Sequence, residues 1–293
     1  MIRIVRVLAP NPGVYTLEGT NTWIVGERSS VVVDPGPDNA HHLRSIQQEA
    51  GPIVAILLTH DHADHAPGAA RLSAATGAPV YAHRPPEGGR RLKDGDEIRA
   101  GGTVVRAVHT PGHSPDHVVF LLAQAGALFT GDAVLGRGTS VIDPPEGDLA
   151  AYVRSLQKML DLQPRVIYPG HGPAVFDAVA KLNEYMLHRA EREEQVLAAL
   201  AAGKQTIDEM VGEIYAGYPP AVRPLAARSV LAHLQKLEAE GRVDRSRKAG
   251  AERYAVSEPR TCARCGRPIR GRARLCGRCS LAVLQEEPGR TKD

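Results

Sequence analysis

Residues 1–261 contain no cysteine; all four cysteines of the chain lie between Cys262 and Cys279. The body therefore has no disulfide framework, as expected of a chain that folds in a reducing compartment, and a cytoplasmic location is the expectation. Long apolar runs are missing as well. The opening "MIRIVRVLAPNPG" sets Arg3 and Arg6 in a short apolar stretch broken by prolines. Nothing further along approaches the roughly 20 consecutive apolar residues that a membrane-spanning helix needs, so no membrane partner is expected. No segment is of low complexity and none repeats at a fixed period, which sets aside disordered and solenoid architectures. Between Arg260 and Ser280 there is no acidic residue, and the segment "CARCGRPIRGRARLCGRC" has no aromatic one.

What remains is globular. With 43% hydrophobic residues in 293, the chain can bury one large core and a smaller second one. Its charge is divided unevenly: residues 1–219 carry 19 Lys plus Arg against 25 Asp plus Glu, and residues 220–293 carry 17 against 8. A body near −6 joined to a tail near +9 points to a polyanionic partner for the tail, or to a solvated basic face.

Strand and helix signals alternate along the first half. "NTWIVGERSSVVVDPGP" reads as two strands joined by a polar turn, and a helix follows from Asp38 or Asn39 to a stop at Gly51. "IVAILLTH" is a buried strand, "PGAARLSAATG" a helix and "APVYAH" a further strand. Beyond residue 90 come "TVVRAVHTPGH", "HVVFLLAQAGALFTGD" and "RVIYPGH", with one long helix from about Asp148 to Leu162. The pattern predicts an α/β protein built as an αββα sandwich.

Four of these strands end alike. "LLTHDHADH", "HTPGHSPDH", "LFTGDAV" and "IYPGHGP" each run out of an apolar strand into His or Asp beside Gly or Pro, so one sheet edge collects metal-type ligands. His60 and His62, two apart, can reach one ion from an extended loop, while Asp64 and His65 turn away as the next helix begins. One stretch can thus serve two metals, and imidazole with carboxylate suits Zn²⁺.

The HxHxDH stretch followed in order by the other three loop ends resembles the metallo-β-lactamase-fold hydrolases. The resemblance implies that His60, His62 and His113 hold a first ion, that Asp64, His65 and His171 hold a second, and that Asp132 bridges them. Two Zn²⁺ ions are expected there, or Fe or Mn in the same positions. Such a pair makes hydroxide available near neutral pH and polarises the bond under attack. Asp132, Asp64 and His117 are the candidate catalytic groups. Asp34 matches the family's strand-end aspartate, a structural group, and Asp61, His83, Asp116 and His117 are placed to orient ligands or move protons.

"NPGVYTLEGTNTWIVG", "TPGHSPDHVVF" and "GDAVLGRGTSVIDPPEGDLAAYVRSLQKML" are similar to one subgroup, the lactamase-β-like protein 2 group, whose activity is endoribonuclease cleavage of single strands. That similarity covers about residues 5–256 and implies a C-terminal winged helix. The residues agree: "EYMLHRAEREEQVLAALAAG", "TIDEMVGEIYAG" with Thr206 as N-cap, and "PLAARSVLAHLQKLEAEG" are helical, and "RVDRSRKAGAERYAVS" is a hairpin. The third helix has few base-reading side chains, so shaping a substrate groove is its expected role, while Arg242, Arg245, Arg247, Lys248 and Arg253 of the wing can contact phosphates.

CxxC, ten residues, CxxC reads as a structural zinc site of Cys262, Cys265, Cys276 and Cys279. Arg260, Arg264, Arg267, Arg270, Arg272, Arg274 and Arg278 around it form a basic plate suited to phosphate. The expected organisation is a catalytic domain at 1–180, a winged helix at 181–257, a zinc ribbon at 258–284 and a disordered tail at 285–293. The expected function is a dizinc phosphodiesterase acting on single-stranded RNA, bound through the basic C-terminal region. The alternative is a thioesterase, of the glyoxalase II kind or acting on acyl-carrier or CoA thioesters. A binding protein with a vestigial site and an iron persulfide dioxygenase rank lower. The oligomeric state, a homodimer included, is left open.

Overall fold

A computed structural model describes residues 2–269, apart from 101, 249, 259, 262, 263 and 267. The chain forms two compact units, Met1–Ala190 and Glu191–Asp293.

In the first unit, the strands β1 (Ile4–Leu8), β2 (Asn21–Val25) and β3 (Ser30–Val33) are followed by helix α1 (Ala40–Ala50), β4 (Ile53–Leu57), helix α2 (Gly68–Thr76), β5 (Val80–Ala82) and β6 (Arg90–Arg91). Those six strands make one sheet in sequence order. The second sheet is built from β7 (Glu97–Ala100), β8 (Thr103–His109), β9 (Val118–Leu122), β10 (Ala127–Gly131) and, after helix α3 (Leu149–Asp161), β11 (Val166–Pro169), in the order β11-β10-β9-β8-β7. Expected strands are present, and three pieces the sequence reading did not announce, β1, β6 and β7, lie at sheet edges.

The run "TWIVG" is apolar without alternation because both faces of its strand are covered. Trp23 and Val25 point between the sheets, where they meet Val33, Leu57, Phe120 and Phe129. Ile24 points the other way, into the layer with Leu43 and Ile46 of α1 and Leu72 of α2. Each fully buried Phe or Ile contributes about 1.5–3 kcal/mol. This is the αββα sandwich. Asn39 caps α1, accepting at its side chain from the amides of His41 and His42, and Gly51 ends it. Asp148 caps α3 by accepting from the Ala151 amide. Leu149, Tyr152, Leu156 and Met159, spaced three and four apart, give α3 its buried face.

Helix α4 (Ala178–Ala201) begins earlier than the periodicity from Asn183 indicates. Residues 181–190, grouped by sequence with the winged helix, pack in the first unit. The physical reason is that Leu182 and Tyr185 are fully buried, and Tyr185 and Arg189 hydrogen-bond to residues 135–140 of that unit.

The second unit continues with α5 (Ile207–Ile214), α6 (Arg223–Ala239) and the hairpin β12 (Val243–Lys248) and β13 (Ala251–Val256), then the short pair β14 (Arg260–Thr261) and β15 (Pro268–Ile269). Thr206 and Glu209 form a reciprocal capping box at the start of α5. Val196, Leu200, Met210, Val230, Leu234, Leu237, Val243 and Tyr254 make its core. Three helices and a hairpin form the winged helix. Among the described residues no helix is long and apolar enough to cross a membrane.

Candidate metal centre

Four strands stop at the same edge, and the residue types at their ends decide what gathers there. The segment after β4 carries His60, His62, Asp64 and His65; the loop after β8 carries His113; Asp132 follows β10 directly; and His171 lies two residues past β11. Two donor groups result: His60, His62 and His113, and Asp64, His65, Asp132 and His171, each with its donor atoms within 4.8 Å of one another. Close approach requires glycine at Gly131, where φ is +47° and a Cβ would lie 2.4 Å from Thr59 Oγ1.

The histidine rings are oriented by what their outer nitrogens donate to. His65 Nδ1 donates to Asp34 Oδ2 (2.9 Å), His113 Nδ1 to the Val141 carbonyl (2.9 Å) and His171 Nδ1 to the Gly19 carbonyl (3.2 Å). Thr59 spends its hydroxyl proton on Asp34 Oδ2 (2.7 Å), so it accepts from His60 Nδ1 (3.0 Å). Four rings thus turn Nε2 inward. His62 is the exception, with its Nδ1 3.2 Å from His113 Nε2.

Converging nitrogens and carboxylates need positive charge among them, whether protons or a metal ion. His65 Nε2 and His171 Nε2 are 3.3 Å apart, and the buried atoms His60 Nε2 and Asp132 Oδ1 have no hydrogen-bond partner. Asp132 faces both groups: Oδ1 lies 3.2 Å from His171 and 3.4 Å from His65, while Oδ2 lies 3.8 Å from His113. Asp64 Oδ2 is 3.1 Å from His171 Nε2. Imidazole nitrogens with two carboxylates fit divalent metal ions, and the orphaned atoms are what such ions would satisfy.

The electrostatics agree. Burial, reinforced by the neighbouring imidazoles of His65, His117 and His113, pushes His60 well below the usual histidine range. Burial likewise lowers His113 and His117. Burial opposes charge on Asp132, yet His65 and His171 hold its carboxyl far below the carboxylate range, and Asp64 is lowered by the same two rings against the same penalty. His65 is raised, Asp132 and Asp34 outweighing its burial. His171 is raised to about 9, the adjacent Asp132 and Asp64 carboxylates overcoming desolvation. The protein's own cations fill, in part, a place for positive charge.

The other expected residues sit around this centre. Buried Asp34 accepts from His65 and Thr59. Asp61 is exposed, and its amide donates to Asp116 Oδ2 at 3.1 Å. His117 is outside both donor groups, its ring 5.0 Å from that of His60, its Nδ1 on Thr110 Oγ1 and its buried Nε2 without a partner. His83 stacks on His109 at 4.2 Å, also outside both groups. In the wing, Arg242 pairs with Glu193, Arg245 with Glu238 and Glu252, and Arg253 donates to Gln205. Of the four-cysteine motif only Cys265 falls among the described residues, where it is exposed; Cys262, Cys276 and Cys279 lie outside them.

Sequence reading missed Thr22 and His42, whose side chains meet at 3.0 Å behind Asp34, and the Tyr152, Tyr185 and Arg189 set. No local pattern announces them, because each partner is far away along the chain.

Sandwich, donor groups and appended winged helix together define a metal-dependent hydrolase, and the chain belongs to the metallo-beta-lactamase superfamily, whose model matches residues 15–88 and 84–171. Residues 206–251 match the beta-lactamase associated winged helix domain. Among individual proteins, the chain is similar to the beta-lactamase-like protein 2 homolog of Drosophila melanogaster, 36% identical over 277 residues that cover 86% of this chain and 93% of that one. It is also similar to the atrochrysone carboxyl ACP thioesterase of Aspergillus chevalieri, 36% identical over 271 residues and 87% of each. A crystal structure of a metallo-beta-lactamase family protein from Thermus thermophilus covers 87% of this chain and 98% of its own, with a TM-score of 0.72 and 25% identity.

Proposed function

We propose that this hydrolase cleaves an acyl thioester, with one divalent ion at His60, His62 and His113, a second at Asp64, His65 and His171, and Asp132 between them. The observation that carries the substrate class is the charge beside the centre. Glu146, with its side chain 72% exposed, lies 3.8 Å from His62 Nε2, and Asp61 is exposed next to it in sequence. The arginines of the neighbouring segments are engaged: Arg137 with Glu18 and Arg189 with the Ser140 carbonyl. A phosphodiester brings its own negative charge to the point of attack and would meet carboxylates at this edge, whereas the thioester carbonyl under attack is neutral.

When bound, the ions supply an activated water and Lewis acidity toward the carbonyl. The chain's part is to hold the rings through Asp34, Val141 and Gly19, and to offer Asp64, more exposed than Asp132, as the carboxylate that accepts a hydrogen bond from the water and orients it. A thiol of ordinary pKa, about 8.5, departs as the thiolate without a proton donor. This matches His117, which burial keeps neutral. The relative named as an ACP thioesterase supports the same substrate class.

A second reading, phosphodiester cleavage of single-stranded RNA, rests on the basic surplus of residues 220–293. A structural Zn²⁺ at Cys262, Cys265, Cys276 and Cys279 is a companion proposal, tested by loss of one bound zinc on deleting residues 260–293. The zinc-loaded protein and its Asp132→Ala variant should be given acyl-CoA and acyl-carrier thioesters and, in parallel, single-stranded RNA. Thioester turnover that disappears in the variant is the expected result. RNA cleavage that disappears in the variant, without thioester turnover, overturns it in favour of the second reading.

A further inference from the structure

We propose that Arg189, with Tyr185, is a positioning residue for His113, acting through residues 133–141. This segment leaves Asp132 and ends at Val141, whose carbonyl accepts from His113 Nδ1 at 2.9 Å. It contains neither helix nor strand, so no ladder of backbone hydrogen bonds fixes its carbonyls. Side chains do this instead. Arg189 Nη2 donates to the Ser140 carbonyl at 2.6 Å, one residue before the one that holds His113. Tyr185 Oη accepts from the Leu135 amide at 2.9 Å and donates to the Gly138 carbonyl at 3.1 Å. At the start of the segment, Tyr152 and Ser140 both donate to the Ala133 carbonyl.

Arg189 is an expensive choice for a merely structural role. The residue is 6% exposed, and its Nε finds no hydrogen-bond partner among the described residues. Its guanidinium lies 5.2 Å from the centre of the Tyr152 ring. Burying such a group is unfavourable unless its surroundings compensate. Here the planar fork fixes one carbonyl from a rigid helix, with the Tyr152 ring as its seat. The hydrogen bond to a histidine's outer nitrogen sets the direction of the ligating one, and losing such a partner typically weakens metal binding about 10–100-fold. Arg189 therefore controls His113 at one remove, from a helix that sequence reading assigned to the neighbouring domain.

The inference rests on the two-metal centre but not on the thioester substrate. Its test is cobalt titration of the full chain, following the absorption of ions held by the histidine and carboxylate groups, alongside thermal unfolding of the metal-free protein. Arg189→Met and, independently, Tyr185→Phe should weaken one of the two ions roughly tenfold or more. Arg189→Lys, which keeps a donor for Ser140, should recover part of the loss. Leu182→Ala on the same helix should lower the melting temperature while leaving cobalt affinity unchanged, since Leu182 is fully buried and is apolar. Wild-type affinity in both Arg189→Met and Tyr185→Phe, or an equal loss in Leu182→Ala, overturns the proposal. If the unaltered chain binds no cobalt at this centre, the two-metal reading fails and the proposal falls with it.

Discussion

Asp34 Oδ2 lies 2.9 Å from His65 Nδ1 and accepts the Thr59 hydroxyl at 2.7 Å, the hydroxyl that in turn receives His60 Nδ1. One carboxylate thus braces a histidine of each donor group. Asp34 does so from the left-handed region, with φ +51°, a conformation uncommon for residues other than glycine. Asp34→Ala is expected to loosen both ions of the proposed centre about 10–100-fold. Competition with a metal chelator measures this, and loss confined to one ion would show that the brace serves only one group.

Asp132→Ala should reduce hydrolysis about 100-fold or more, the scale on which removing a charge-stabilising group acts. Far-ultraviolet circular dichroism should be unchanged, because the removed carboxylate faces ligands rather than apolar core. Elemental analysis of the body should fall from two ions toward one.

Gly112→Ala should abolish metal binding and severely destabilise the first unit. Gly112 has φ +141°, and a Cβ there would lie 2.4 Å from Tyr152 Cα, a helix backbone atom that cannot rotate aside. The strain falls on the residue before His113. Near-native melting temperature and metal content in this variant would contradict the close packing of α3 on the loop.

His42 gives a pH signature unconnected with metal. Burial pushes it down to about 4, below the roughly 6.5 of an unfolded chain. Between those values the unfolded state binds more protons, so stability is complete above pH 6.5 and declines as pH falls toward 4. His42→Gln keeps a donor for Thr22 but cannot titrate. Urea midpoints at pH 7.5 and 5.0 should fall less in the variant than in the wild type; equal falls would remove His42 from the acid limb.

The two donor groups were legible because their residues stand at strand ends, where local sequence records both the apolar run and the polar stop. "THDHADH" and "HTPGHSPDH" carry their meaning within a few residues. Capping was equally local: Asn39, Asp148 and Thr206 stand where the caps are. The supports were not legible. Arg189 lies 49 residues from its partner Ser140, and in "LHRAERE" it looks like one more charge on a solvated face. Thr22 and His42 have the same difficulty, since a polar residue in a strand and a histidine in a helix become informative only when the fold joins them. Strands of two to four residues such as β6 and β7 arise from pairing with neighbours and leave little periodicity to read.

Asn21 of the first sheet donates through its side chain to the carbonyls of Pro169 and Gly172, and Trp23 donates its indole N–H to Pro169. The two sheets are sewn together at the edge where the donor residues collect, and each donor group draws on both sheets. During synthesis, then, a nascent polypeptide that has displayed the whole of "THDHADH" still has no finished cage. His113 must emerge to complete the first donor group and His171 the second, so the last of the seven donor side chains takes its place only once β11, the final strand of the second sheet, has docked.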